Sequence, residues 1–95
     1  MSRPNTNRKP LSDYDIQFAT TYDGYLTEQG ISRRQLCEHM GVSYPYIWQR
    51  LKGFETSVTI NMVSHLAEMV NLSPSILMTE LNRRVSYALD HQNNK

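Results

Sequence analysis

With 95 residues, 39% of them hydrophobic and 20% charged, the chain suffices for one buried core, leaves no room for a second catalytic domain and has no apolar run near the roughly 18 residues of a membrane span. The formal charge of +1 hides a segregation: residues 1–10 carry +3 from Arg3, Arg8 and Lys9, residues 11–30 carry −4, and residues 31–53 carry +3 from Arg33, Arg34, Arg50 and Lys52 against Glu38. A single cysteine, Cys37, excludes an internal disulfide, and His39, His65 and His91 sit at no metal-ligand spacing with it or with each other, so neither metal nor cofactor is expected.

Residues 1–10 contain Pro4, Pro10 and no residue of buried type, so they are expected to form a flexible basic arm ahead of a domain over residues 11–91. From a cap at Ser12 or Asp13, Phe18, Tyr22, Tyr25 and Leu26 recur at the spacing of one helical face, which Gly30 ends. Ser32 is placed to cap a second, short helix through Met40, with Leu36, Cys37 and Met40 inward. Gly41 breaks the chain, Val42 anchors the turn, and Ser43 is expected to accept a bond from the open amides of a third helix. That helix runs from Tyr44 to about Lys52, tolerates Pro45 in its first turn, points Ile47 and Leu51 inward and stops at Gly53. Tyr44, Trp48, Gln49 and Lys52 are left outside.

Thr59 caps a fourth helix on which Ile60, Val63, Ala67 and Val70 form the apolar stripe, Asn71 takes the left-handed end, and His65 and Glu68 face solvent. Leu72, Ser73 and Pro74 open a last helix with Leu77, Leu81, Val85 and Ala88 on one stripe, and the end of the chain frays from His91 into a disordered tail over 92–95. Nothing reads as a strand, and the fold class is all-α.

Residues 32–53 hold two short helices joined through Gly41 and Val42, the second with exposed polar and aromatic side chains, a geometry that seats a helix in the major groove of DNA. The stretch GISRRQLCEHMGVSYPYIWQRLKG, followed by TINMVSHLAEMVNLSPSIL, resembles the lambda repressor and Cro-like helix-turn-helix family over about residues 14–80. Ser32, Leu36, Cys37, Gly41, Val42, Ser43, Ile47 and Gly53 carry the likeness, as do Leu66, Ala67, Val70, Leu72, Ser73 and Pro74.

The resemblance implies five helices around one core, here with a basic N-terminal arm and an extended C-terminal helix. It implies a sequence-specific transcriptional regulator of double-stranded DNA, a repressor of phage, restriction-modification or antitoxin type, bound to a palindromic operator as a homodimer in the cytoplasm, at the nucleoid. By position, Tyr44, Pro45, Trp48 and Gln49 look at base edges, with the Gln49 amide able to pair bidentately with adenine. Arg33, Ser43 and Lys52 fall at the DNA backbone, joined by Arg3, Arg8 and Lys9 where the arm wraps the duplex rather than serving solubility. The chain departs from the family pattern at Arg50, usually apolar, and Leu51, often acidic, while Pro45 removes a backbone donor and a contacting side chain.

Blander roles compete at several positions. Trp48 reads either as exposed or as rolled into the core over the gap left by Arg50, and Arg33 and Arg34 also fit as generic surface charges. Cys37 reads as a small packing residue and not a nucleophile, since no base is placed beside it. On the last helix, Leu81, Val85, Ala88 and Leu89 extend past the expected core, which assigns them to a dimer interface with a second copy, or else folds them back onto Tyr14 or Phe18. No carboxylate pair, triad or phosphate loop suggests an enzyme. The alternative function is a protein-interaction module whose Tyr44, Tyr46 and Trp48 anchor in a partner protein's pocket.

Overall fold

The computed structural model describes residues 10–93, and within them five helices follow in order and no strand: α1 (Asp13–Glu28), α2 (Arg33–Met40), α3 (Tyr44–Leu51), α4 (Ile60–Met69) and α5 (Pro74–Asn93). Arg3, Arg8 and Lys9 of the basic arm lie outside the described residues, as do positions 94 and 95.

Short hydroxyl side chains set most of the helix starts, because each satisfies an amide that has no partner inside the helix. Ser12 accepts from the Asp15 amide, Thr59 from the Met62 amide, and Ser32 forms a reciprocal capping box with Gln35. The Ile76 amide donates to Ser73 Oγ at 3.2 Å, ahead of Pro74. Ser43 is the exception and corrects the sequence reading: it precedes α3 but makes no side-chain cap bond. Pro45, second in the helix, lacks an amide, but the third-position amide that the other four caps bond belongs here to Tyr46, and the Ser43 hydroxyl does not meet it.

Helical spacing gathers one core from all five helices: Phe18, Ala19, Tyr22, Tyr25 and Leu26 from α1, Leu36 and Cys37 from α2, Ile47 and Leu51 from α3, Met62, Val63, Leu66 and Ala67 from α4, and Leu77, Leu81 and Val85 from α5. Burying each large side chain is worth about 1.5–3 kcal/mol before entropy is counted. The polar end of Tyr22 is satisfied inside this core, its hydroxyl donating to the Met62 carbonyl at 2.7 Å. Burial holds that phenol well above its ordinary ionisation range.

α5 lies back along α1 and α4, and this settles where its stripe goes. Leu81 and Val85 are fully buried within the protomer, so they are not available as a dimer seam, while Ala88 and Leu89 are half-buried. The Tyr14 hydroxyl bonds Asn82, Gln92 donates to Gln17 at 3.1 Å, and Arg84 bridges Glu28 at 2.8 Å and Glu80 at 2.6 Å while lying over the Tyr25 ring. These pairs carry α5 as helix to Asn93, past the expected fraying point at His91. Ile60 also departs from expectation: as the first residue of α4 it is 74% exposed, while Met62 takes the inward position. No helix among the described residues is long and apolar enough to cross a membrane.

Candidate nucleic-acid interface

The turn between α2 and α3 is short because its residues close on Cys37. The Gly41 and Val42 amides both donate to the Cys37 carbonyl, at 2.8 and 3.1 Å, and Gly41 adopts φ 72°, which a glycine takes without the steric cost of a Cβ. The Cys37 thiol, buried against this turn, points at the Ser43 carbonyl 3.7 Å away. Burial pushes the thiol up, in keeping with a packing role.

With Ile47 and Leu51 fixed in the core one turn apart, the helical period leaves Tyr44, Pro45, Trp48, Gln49 and Lys52 on the outer side of α3. Trp48 is 44% exposed, which decides between its two readings in favour of the surface. Gly53 explains how the indole is seated, since a Cβ there would come within 2.8 Å of the Trp48 ring. The glycine at 53 therefore makes room for an aromatic plane, while the helix closes at Lys52 and the left-handed turn after it falls on Phe54, φ 54°, not on the glycine expected to stop it.

Tyr44, 37% exposed, stands at the junction of α2 and α3 between two arginines. Arg33 grips Asp23 of α1 with both arms of its guanidinium, at 2.9 and 2.8 Å, and reaches the Tyr44 hydroxyl at 3.5 Å. Asp23 first, and then Tyr44, hold the Arg33 guanidinium even more firmly protonated than usual. The charge expected to grip a phosphate is thus matched within the protomer, and Arg33 ties α2 to α1 and braces Tyr44. Arg34 lies with its guanidinium carbon 5.7 Å from the Tyr44 ring centre. Arg34 and Lys52 are exposed and have no carboxylate partner among the described residues, so they supply the uncompensated positive charge beside α3.

Arg50, unusual for its position, covers Tyr46: its guanidinium stacks 3.7 Å from the ring centre and donates to the Tyr46 carbonyl at 3.0 Å. That contact keeps Tyr46 half-buried and takes it out of the aromatic set read as a protein-binding anchor. The outer face of α3 thus combines an amide that both donates and accepts (Gln49), a phenol, an indole and the unblocked hydroxyl of Ser43, flanked by Arg34 and Lys52.

Three contacts lay beyond sequence spacing. Arg34 over Tyr44 and Gly53 beneath Trp48 are two of them. In the third, packing of α2 on α4 brings together His39 and His65, expected at no ligand spacing, with Glu68 beside them. The first and third join side chains of different helices, whose approach depends on how the elements pack, while the second depends on the local path of the chain after α3. Compared with protein-family models, with curated proteins and with solved structures, the chain has no match.

Proposed function

We propose that this chain is a sequence-specific DNA-binding transcriptional regulator, a repressor of the lambda repressor and Cro-like type, which lays α3 in the major groove. The observation that carries the reading is the outer face of α3, where Tyr44, Pro45, Trp48 and Gln49 stand exposed together while Ile47 and Leu51 lock the helix to the core. Gln49 reads adenine through its amide, Tyr44 and Trp48 pack on thymine methyl groups, and Arg34, Lys52 and Ser43 meet the backbone. Compared with the assignment from sequence, Arg34 replaces Arg33 as the phosphate-binding arginine, and Arg33 becomes its brace. The basic arm, Arg3, Arg8 and Lys9, adds further phosphate contacts.

Two copies on a palindromic operator complete the proposal, with a seam other than Leu81 and Val85. The protein acts at the nucleoid by occupying a promoter, with no catalysis. Titration into the duplex upstream of its own gene, against a scrambled duplex, tests the reading. Gln49→Ala is expected to cost about 1–3 kcal/mol and relax preference at one base pair, whereas Lys52→Ala weakens binding to all sequences and lowers the salt slope by about 1. A second reading draws on the same exposed aromatics: Tyr44 and Trp48 anchoring a protein partner, which equal and weak binding to both duplexes supports.

A further inference from the structure

Away from α3, one polar cluster joins α2 to α4. His39 lies in the last turn of α2, and His65 and Glu68 lie three residues apart on α4 and so share one of its faces. The Nδ1 atoms of His39 and His65 are 3.0 Å apart with the rings nearly perpendicular at 82°, and the Nε2 of His39 is 3.4 Å from the Glu68 carboxylate. One ligating atom from each residue falls within 4.8 Å of the other two.

Donors held about 2.0–2.2 Å from a tetrahedral ion stand roughly 3.3–3.6 Å from one another. The two Nδ1 atoms are therefore already near the required separation, while Glu68 faces the other ring nitrogen of His39 and must turn toward the Nδ1 side, a rotamer change that its exposure permits. Glu68 is 71% exposed and has no lysine or arginine partner among the described residues, so its charge is available to a cation. Two imidazole nitrogens and one carboxylate oxygen suit a borderline ion, whereas calcium and magnesium take oxygen ligands.

We propose that His39, His65 and Glu68 form a zinc site that clamps α2 to α4 and leaves a fourth coordination position open. His65 and Glu68 also line a surface depression of about 290 Å³ with Ser64, Leu72 and Pro74, which has room for a water or small anion on the ion. An ion held by two helices binds the folded chain in preference to the unfolded one and raises its stability. Zinc binding of this kind does not depend on whether α3 reads DNA.

The test is calorimetric titration of Zn²⁺ into the metal-free full chain, with thermal melts in Zn²⁺ and in Mg²⁺ and with Co²⁺ absorption as the report on coordination. The expected result is one Zn²⁺ per chain, a higher melting temperature in Zn²⁺ alone and the visible bands of tetrahedral Co²⁺. His39→Ala and His65→Ala should each weaken binding by more than about tenfold and Glu68→Gln by less, with helical content unchanged and His91→Ala without effect. The proposal is overturned by the absence of saturable one-to-one binding, by binding that survives the His39→Ala/His65→Ala double variant, or by binding lost on His91→Ala. The stoichiometry and Co²⁺ spectrum of the unaltered chain decide the matter even where a variant folds poorly.

Discussion

Replacing Leu81 with alanine separates a core residue from a dimer seam, because the two roles move different observables. Leu81 is fully buried between α5 and the helices it packs on, so the change removes apolar groups from inside the protomer. Three carbons at about 0.8 kcal/mol each give about 2.4 kcal/mol of lost transfer energy, and the cavity left behind raises the total to about 3–5 kcal/mol. For a domain of this size, about 4–8 °C per kcal/mol turns this into a fall in melting temperature of roughly 12–40 °C. Circular dichroism melts and sedimentation velocity on the same sample measure both quantities. The expected outcome is a large fall in melting temperature at every protein concentration, with the association state of the folded fraction unchanged. A fall under about 5 °C together with dissociation of a dimer would refute the placement of Leu81 in the core.

Gly53→Ala drives a methyl group into the Trp48 ring; since Trp48 is the only tryptophan, its emission should shift and duplex binding weaken, and an unchanged spectrum would count against this seating. Tyr22→Phe leaves the Met62 carbonyl without its 2.7 Å partner and should cost about 1–2 kcal/mol by denaturant titration. Since burial raises the Tyr22 pKa above its ordinary 10.0, the folded state resists ionisation that the unfolded chain undergoes. Stability from this residue is therefore complete below pH 10.0 and lost as pH rises above it, and Tyr22→Phe should flatten the alkaline limb of the stability curve. Glu80 shifts the other way: hydrogen bonds from Arg83 and Arg84 lower it from 4.5 to about 2, so its contribution is present above pH 4.5 and lost as pH falls toward 2. Melts of the wild type and Glu80→Gln across that window should converge at the acid end, and parallel curves would contradict the pairing.

Local chemistry made much of this fold legible. Ser12, Ser32 and Thr59 read as caps and are caps, Gly41 and Asn71 take the left-handed conformations that end their helices, and the stripes Phe18–Tyr22–Tyr25–Leu26 and Ile47–Leu51 lie in the core. Each depends on neighbours within about one or two helical turns, the range over which periodicity carries information. Ser43 failed within that range, although Tyr46 keeps the third-position amide that the other caps bond.

Contacts between elements were harder to foresee. The stripe on α5 satisfies its apolar surface equally well against a second copy or against α1, so only the packing of α5 distinguishes the two. Arg33 meets Asp23 across the gap from α2 to α1, so the charge expected at a phosphate is matched within the protomer, while Arg34 stays on the outside. His39 and His65, 26 positions apart, meet only because α2 packs on α4. The seating of the Trp48 ring against the missing side chain of a glycine five residues on, in the loop after its helix, was likewise not foreseen.

The most direct test of groove reading by α3 is a fluorescence anisotropy titration of the wild type and Gln49→Ala into the duplex upstream of its own gene and a scrambled duplex, at several salt concentrations. Groove reading by α3 predicts tight, salt-sensitive binding with a clear preference for the native duplex, and loss of most of that preference in Gln49→Ala at an unchanged salt slope. Weak binding to both duplexes, or a preference that Gln49→Ala leaves intact, would contradict it.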